Sequence, residues 1–111
     1  MTYIEVQRLV DIICTNIRDK KYSGVYGIPR GGLVPAALMA YRLGLPVVGF
    51  RDINKNILIV DDGVNSGVTI SNDAYSFCDK AVLTVRNGKQ ELVTYFGKIV
   101  YDYVTYPWEN I

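Results

Sequence analysis

Residues 57 to 62 read Ile-Leu-Ile-Val-Asp-Asp, an unbroken apolar run closed by two adjacent acids. The stretch that follows, Gly63 to Thr69, holds little besides glycine, small polar residues and valine. An apolar run without alternation suits a strand buried on both faces, which is the habit of parallel sheets covered on both sides. This stretch therefore points to an α/β fold and sets Asp61 and Asp62 where the strand leaves the core.

The rest of the chain supplies neighbours for that strand. Thr2-Tyr3-Ile4-Glu5 matches a capping box, and Val6, Leu9, Val10, Ile13 and Ile17 recur at helical spacing, so residues 3 to 20 read as an amphipathic helix. Gly24 to Ile28 reads as a short strand, broken by Pro29-Arg30-Gly31-Gly32. A second helix is expected from about Val34 to Leu43, ended by Gly44 and followed by Pro46. Val47 to Phe50 reads as a strand, Arg51 to Asn56 as a tight connection, Thr69 to Asp79 as a helix and Ala81 to Arg86 as a strand. Asn87-Gly88 supplies a turn, and the Tyr- and Val-rich tail from Glu91 to Ile111 reads as strands or an extended cover. Strands alternating with helices predict an α/β class with a mainly parallel sheet flanked by helices. With no repeat or linker, residues 1–111 read as one minimal domain.

Half of the residues are apolar and the formal net charge is +1. Without a block of like charge, neither nucleic acid nor a membrane surface is expected as the main partner. The longest apolar stretch, Leu33 to Tyr41, is too short to span a bilayer, and the N-terminus lacks a basic-then-apolar signal pattern. Cys14 and Cys78 lie far apart on segments that read as helices, which favours reduced thiols and a cytoplasmic protein. So small a core also makes a homo-oligomer, such as a dimer, an expectation. The chain has no histidine. That removes Ser-His-Asp and Cys-His arrangements, histidine-bearing zinc sites and the usual general base near neutral pH. Chemistry is left to carboxylates, main chain, Arg and Lys, and a borrowed metal ion.

In a parallel sheet, ligands gather beyond the carboxyl ends of the strands, where both unusual loops fall. Gly63 and Gly67 let the backbone curl, so N–H groups and the start of the expected helix near Thr69 can converge on an anion, with Ser66 and Thr69 adding hydroxyls. Asp61 and Asp62 can accept hydrogen bonds from a diol, or from water on a divalent cation. Phosphate, diol and metal side by side describe a phosphorylated ribose. Arg30, between Pro29 and Gly31, can hold a second phosphate. Neither G-x-x-x-x-G-K-[ST] nor G-x-G-x-x-G occurs, which argues against a P-loop nucleotidase and a dinucleotide-binding domain.

At these residues the chain resembles the type I phosphoribosyltransferases. "ILIVDDGVNSGVT" is similar to that family's signature for 5-phosphoribosyl-1-pyrophosphate (PRPP), and "YGIPRGGLVPAALMAYRLGLPV" to its pyrophosphate loop and following helix. "VTYFGKIVYDYVTYPWE" resembles the small C-terminal hood of the xanthine/hypoxanthine-guanine subgroup. The resemblance implies transfer of the 5-phosphoribosyl group of PRPP to a nucleobase, a 6-oxopurine in that subgroup. The products would be pyrophosphate and a nucleoside monophosphate, with Mg2+ as cofactor. A catalytically reduced PRPP- or nucleotide-binding module is the alternative.

Residue by residue, it implies that Asp61 and Asp62 hold the ribose hydroxyls and the magnesium-bound face of PRPP, with Glu109 approaching the metal. Asn65, Ser66, Gly67, Val68 and Thr69 would cradle the 5′-phosphate, and Arg30, Gly31 and Gly32 the pyrophosphate, across a Pro29–Arg30 peptide that is often cis in the family. Arg86 would contact the purine 6-oxo group, Tyr103 would stack on the base and the Val104 main chain would read its edge. By itself Tyr103 equally suits a core aromatic, and Arg86 a solvated strand end. The subgroup usually carries an aspartate, the presumed proton acceptor, where this chain has Asn65, whose amide cannot take that proton. Relatives also carry a long mobile loop over the reacting centre, for which only Arg51 to Asn56 remains here.

Overall fold

The computed structural model describes residues 1–17 and 20–109. Helix α1 spans Tyr3–Ile17; residues 18 and 19 of the expected helix, like residues 110 and 111 of the tail, lie outside the described residues. Thr2 Oγ1 accepts the Glu5 N–H at 3.2 Å, one half of the anticipated capping box. The reciprocal half does not form, because the Glu5 carboxylate instead pairs with Arg8 at 3.5 Å and with Lys98 at 3.1 Å. Helix α2, Leu33–Leu43, carries Pro35 in its first turn, where a missing N–H is harmless. It ends at Gly44, whose φ of 68° closes the last turn in the left-handed region.

The sheet has four parallel strands in the order β1 (Gly24–Gly27), β2 (Ile57–Val64), β3 (Lys80–Arg86), β4 (Tyr95–Val100). Alternation along the strands divides the core in two. Val25, Leu58, Val60, Ala81 and Leu83 face α1 and α2, packing with Val6, Val10, Ile13, Ile17 and Met39. Tyr26, Ile57, Ile59 and Val82 face the other way, toward Ile70, Tyr75 and Cys78. Each fully buried Ile, Leu or Val contributes about 1.5–3 kcal/mol relative to exposure. The expected flanking by helices is present, with both α-helices on one face. The second face is roofed by three connections: residues 65–79 and 87–94, which carry only short 3-10 helices at Asp73–Tyr75 and Gln90–Leu92, and the segment before β2, through Val48 and Ile53.

Two expected elements are corrected. Residues 47–50 are not a strand: Val47 forms a single parallel bridge to Val25, and Phe50–Asp52 is a 3-10 helix. Pro46 withholds one ladder N–H, and Gly49 lets the chain turn away. Residues 69–79 are not an α-helix but a series of turns around Asp73–Tyr75. Thr, Ile, Ser, Asn and Asp crowd this segment, and the Asn72 side chain accepts the Ala74 N–H at 2.9 Å, a local bond that competes with helix propagation. Cys14 and Cys78 are both buried and free, and burial raises the Cys14 thiol to about 11. No helix among the described residues is long and apolar enough to cross a membrane.

Candidate active site

Strand β2 is longer than its apolar run: Asp61, Asp62, Gly63 and Val64 continue it, paired to β3 through Asp61–Val82 and Gly63–Thr84. Successive strand positions diverge, so the two acids have different surroundings. Asp61 is buried, and burial, then the neighbouring Asp62 charge, raises its carboxyl from 3.8 to about 7. The Asp62 N–H donates to Asp61 Oδ1 at 2.8 Å, and the Gly63 N–H to Asp62 Oδ1 at 2.7 Å.

Three depressions meet at this strand end, and Asp62 is the residue common to all of them. The first, about 220 Å³, is formed by Asp61 to Ile70. There Gly67 has φ 89°, and a Cβ on it would approach Leu92 Cδ1 to 2.5 Å. The N–H groups of Ser66, Gly67, Thr69 and Ile70 have no acceptor among the described residues, while the Val68 N–H donates to Ser66 Oγ at 3.4 Å. Loss of the expected helix removes a macrodipole from this loop but leaves a nest of unpaired donors suited to an anion.

The second depression, about 800 Å³, lies between Arg30, Gly31, Leu33 and Val34 on one side and Asp62, Trp108 and Glu109 on the other. The Pro29–Arg30 peptide is cis. A Cβ on Gly31 would fall on the Asp62 carboxylate, and one on Gly32 would crowd the Val60 and Ile28 main chain. Bare backbone at both positions is what brings this loop against the end of β2. The Arg30 guanidinium has no hydrogen-bond or ion-pair partner among the described residues.

The third, a cavity of about 120 Å³, is lined by Asp62 to Asn65, Thr84, Arg86, Val100, Asp102, Tyr103, Val104, Tyr106 and Glu109. Arg86 Nη1 donates to Asn65 Oδ1 at 2.7 Å. Arg86 is exposed at the end of β3, as a solvated strand end would be, and this contact sets it at the rim of the cavity. Tyr103 is 70% exposed, so it is not a core aromatic; its hydroxyl donates to Glu109 Oε2 at 3.0 Å. Glu109 Oε1 accepts the Tyr106 N–H at 2.9 Å, so both oxygens of this expected metal ligand already brace the hood.

The structure thus gathers the expected phosphate loop, acid pair, arginine loop and hood around one point. It also brings in residues that sequence reasoning did not single out. Tyr106 donates from its hydroxyl to the Asp62 carbonyl at 3.1 Å and lies 2.6 Å from Thr84 Oγ1. The Trp108 indole N–H donates to Asp62 Oδ2 at 3.4 Å, and its ring stacks on Tyr106 with centroids 5.3 Å apart. Burial is the main cause that raises the Tyr106 hydroxyl well above its ordinary value. A signal existed for each: Thr84 is the one polar residue inside the run Ala81 to Val85, and Tyr106 and Trp108 flank Pro107.

Among the described residues, no group of three or more His, Cys, Asp or Glu is placed to hold a metal ion. The donor set suits a magnesium ion carried mainly by ligand phosphates and touched by one or two carboxylates, its usual mode of binding.

No family model matches the chain. In sequence it is 25% identical over 133 residues to a xanthine-guanine phosphoribosyltransferase of Chromohalobacter salexigens, spanning 98% of this chain and 82% of that protein. In structure it matches a purine phosphoribosyltransferase from Pyrococcus horikoshii with TM-score 0.85 at 21% identity, covering 100% of this chain and 93% of that one. It matches the xanthine-guanine-hypoxanthine phosphoribosyltransferase of Helicobacter pylori with TM-score 0.79 at 16% identity, covering 97% and 88%. The chain has a type I phosphoribosyltransferase-like α/β fold, and it resembles the xanthine/hypoxanthine-guanine subgroup of that family.

Proposed function

We propose that this chain, working as one domain over residues 1–111, transfers the 5-phosphoribosyl group of PRPP to a 6-oxopurine, releasing pyrophosphate and a nucleoside 5′-monophosphate. The observation that carries the reading is the meeting of three depressions at Asp62, one walled by unpaired N–H groups, one by Arg30 and glycine backbone, and one by Arg86 and the hood. In this arrangement the loop Asn65–Thr69 holds the 5′-phosphate, Asp61 and Asp62 accept from the ribose hydroxyls, and Arg30, Gly31 and Gly32 face the pyrophosphate. Arg86, Tyr103 and the Val104 main chain hold the base. A cavity of about 120 Å³ lies below the roughly 300 Å³ at which drug-sized ligands are held, so it accommodates a single heterocycle whose sugar phosphate extends into the adjoining depressions.

Bond cleavage at an anomeric carbon passes through an oxocarbenium-like state, for which positioning and charge matter more than a protein nucleophile. That suits a chain without histidine. Asp62, held by the Gly63 N–H, the Trp108 indole and the Tyr106 anchor on its carbonyl, is the positioned anion nearest that centre. Asp61, Asp62 and Glu109 would hold a magnesium ion, partly through water, and that ion would supply neutralising charge to the departing pyrophosphate. The test is pyrophosphate release by the purified chain with PRPP, Mg2+ and a panel of nucleobases. Release with an oxopurine, lost in Asp62→Ala, is the expected result. Tight nucleotide binding with no release for any base would overturn the reading and leave a binding module.

A further inference from the structure

Helix α2 buries Pro35, Ala36, Met39 and Ala40 against the sheet, and its solvent side is apolar as well. Leu33, Ala37 and Tyr41 follow one another at i, i+4 and i+8 along that side, with the half-buried Val34 and Leu38 in the adjoining row. Leu33 is 50% exposed and Tyr41 87%. Beside them α1 presents Ile4, 83% exposed, and a groove of about 240 Å³ runs between Gln7, Val10 and Asp11 of α1 and Leu38, Tyr41 and Arg42 of α2. The two charges bordering this groove, Asp11 and Arg42, neutralise each other in an ion pair. An aromatic side chain offers about 150–250 Å², so Tyr41 is the largest single part of this face. With its apolar neighbours the patch reaches on the order of 500 Å², the upper end of what a monomer leaves uncovered. Counted on two copies, and with the polar groove residues at its edge, it comes close to the roughly 1,200 Å² at which specific interfaces begin.

We propose that two copies of the chain pair through this face, their α2 helices crossing antiparallel about a two-fold axis at Ala37. A two-fold contact uses the same patch on both partners, so the patch must be complementary to itself. The row Leu33–Ala37–Tyr41 meets that demand, because large, small and large side chains read alike from either end. Ala37 at the crossing point lets the helices approach to roughly 8 Å, and rows spaced four residues apart interdigitate in the commonest mode of helix packing. Antiparallel crossing also sets the two helix dipoles against each other favourably. With Asp11 and Arg42 already paired within each copy, no net charge of one face meets the same charge of the other.

The same axis carries a residue into the site. Positions 33 and 41 lie equally far from 37, so Tyr41 of one copy falls against Leu33 and Val34 of the other. Leu33 and Val34 also line the depression of about 800 Å³ that holds Arg30. Resting on the pyrophosphate reading of that depression proposed above, Tyr41 of the second copy adds a hydroxyl donor at its rim, and each site is completed by the neighbouring chain. The ring supplies the packing and the hydroxyl the contact with ligand, so the two roles separate in a Tyr41→Phe variant.

Sedimentation velocity of the ligand-free chain should show a dimer at about 100 μM, since an interface of this size gives at least micromolar affinity. Ala37→Arg sets two like charges at the axis and should yield a monomer with unchanged far-UV circular dichroism. Tyr41→Glu, at a side chain too exposed to matter for folding, should do the same. Tyr41→Phe should stay dimeric and bind inorganic pyrophosphate with Mg2+ about tenfold more weakly than wild type by calorimetry, the loss expected for one hydrogen bond to a charged group. A monomeric wild type at that concentration, or a dimer that survives both charged variants, would overturn the interface. Tyr41→Phe binding pyrophosphate as tightly as wild type would remove Tyr41 from the site. A wild-type dimer that binds no pyrophosphate would sink the reading of the Arg30 depression and leave the interface standing.

Discussion

The Tyr106 hydroxyl donates to the main-chain carbonyl of Asp62 at 3.1 Å, fastening the C-terminal hood to the strand end that carries the central carboxylate. A phenol has one proton, so the 2.6 Å contact with buried Thr84 must run the other way, with Thr84 donating. Tyr106→Phe breaks both bonds and strands a buried threonine hydroxyl. It should destabilise the chain by about 1–3 kcal/mol in urea unfolding. It should also raise KM for the base more than KM for PRPP, since Tyr106 lines the cavity proposed for the base and neither of the other two depressions. Unchanged stability would show that Tyr106 packs without anchoring.

Gly31 supplies a second test, because a Cβ there would fall on the Asp62 carboxylate. Gly31→Ala should leave the fold in place and push that carboxylate aside. Misplacement by about 1 Å can lower rates on the order of a hundredfold, so kcat/KM for PRPP should drop by about that factor. Far-UV circular dichroism should be unaltered. A variant with near-normal kcat/KM would mean that the close approach of the two loops is dispensable.

Trp108 is the sole tryptophan of the chain, and its indole N–H donates to Asp62 Oδ2 at 3.4 Å. Any ligand that draws on the Asp62 carboxylate should change the polarity around that indole. Titration with PRPP and Mg2+ should therefore shift or quench tryptophan emission, saturating at the binding midpoint found by calorimetry. Asp62→Ala should abolish the response. A flat emission signal alongside calorimetric binding would place the ligand away from Asp62.

Asp61 predicts an unusual pH dependence of the ligand-free chain. Burial and the Asp62 charge raise its carboxyl from 3.8 to about 7, so between those values the folded chain keeps a proton that the unfolded chain gives up. This group's contribution therefore makes the fold less stable as pH rises from about 4 to about 7, and the loss is complete above that window. Asp61→Asn should be more stable than wild type at pH 8, by on the order of 3 kcal/mol, with the gap closing toward pH 4. Superimposable melting curves for the two proteins at pH 8 would contradict this assignment.

The parts legible in the sequence were those where local chemistry and tertiary demand agree. Ile57 to Val60 is apolar on both faces because two separate cores press on it, and Gly44 ends α2 because only a left-handed residue closes that turn. Thr69 to Asp79 misleads because its apolar residues fall at a spacing compatible with a helix. Ile70, Tyr75 and Cys78 reach the second core from turns, with Asn72 spending its side chain on a local bond. The acid pair and the glycine loops were readable as a candidate site because each departs from what a strand-to-helix turn requires. The Tyr106–Thr84–Asp62 network was not, because it joins residues from two strands and the hood whose proximity depends on sheet order. The bond between Asn65 and Arg86 likewise depends on β2 and β3 being neighbours in the sheet.

Residues 65–79 serve two masters: their first part carries the unpaired N–H groups proposed to meet an anion, and Ile70, Tyr75 and Cys78 close the second core. If the loop holds phosphate as proposed, a change that displaces its backbone also unseats that hydrophobic roofing, so affinity and folding are selected together in this segment. Altered-affinity variants would be sought more profitably at Arg30 and Arg86, whose side chains lie on the surface and can be exchanged without opening the interior.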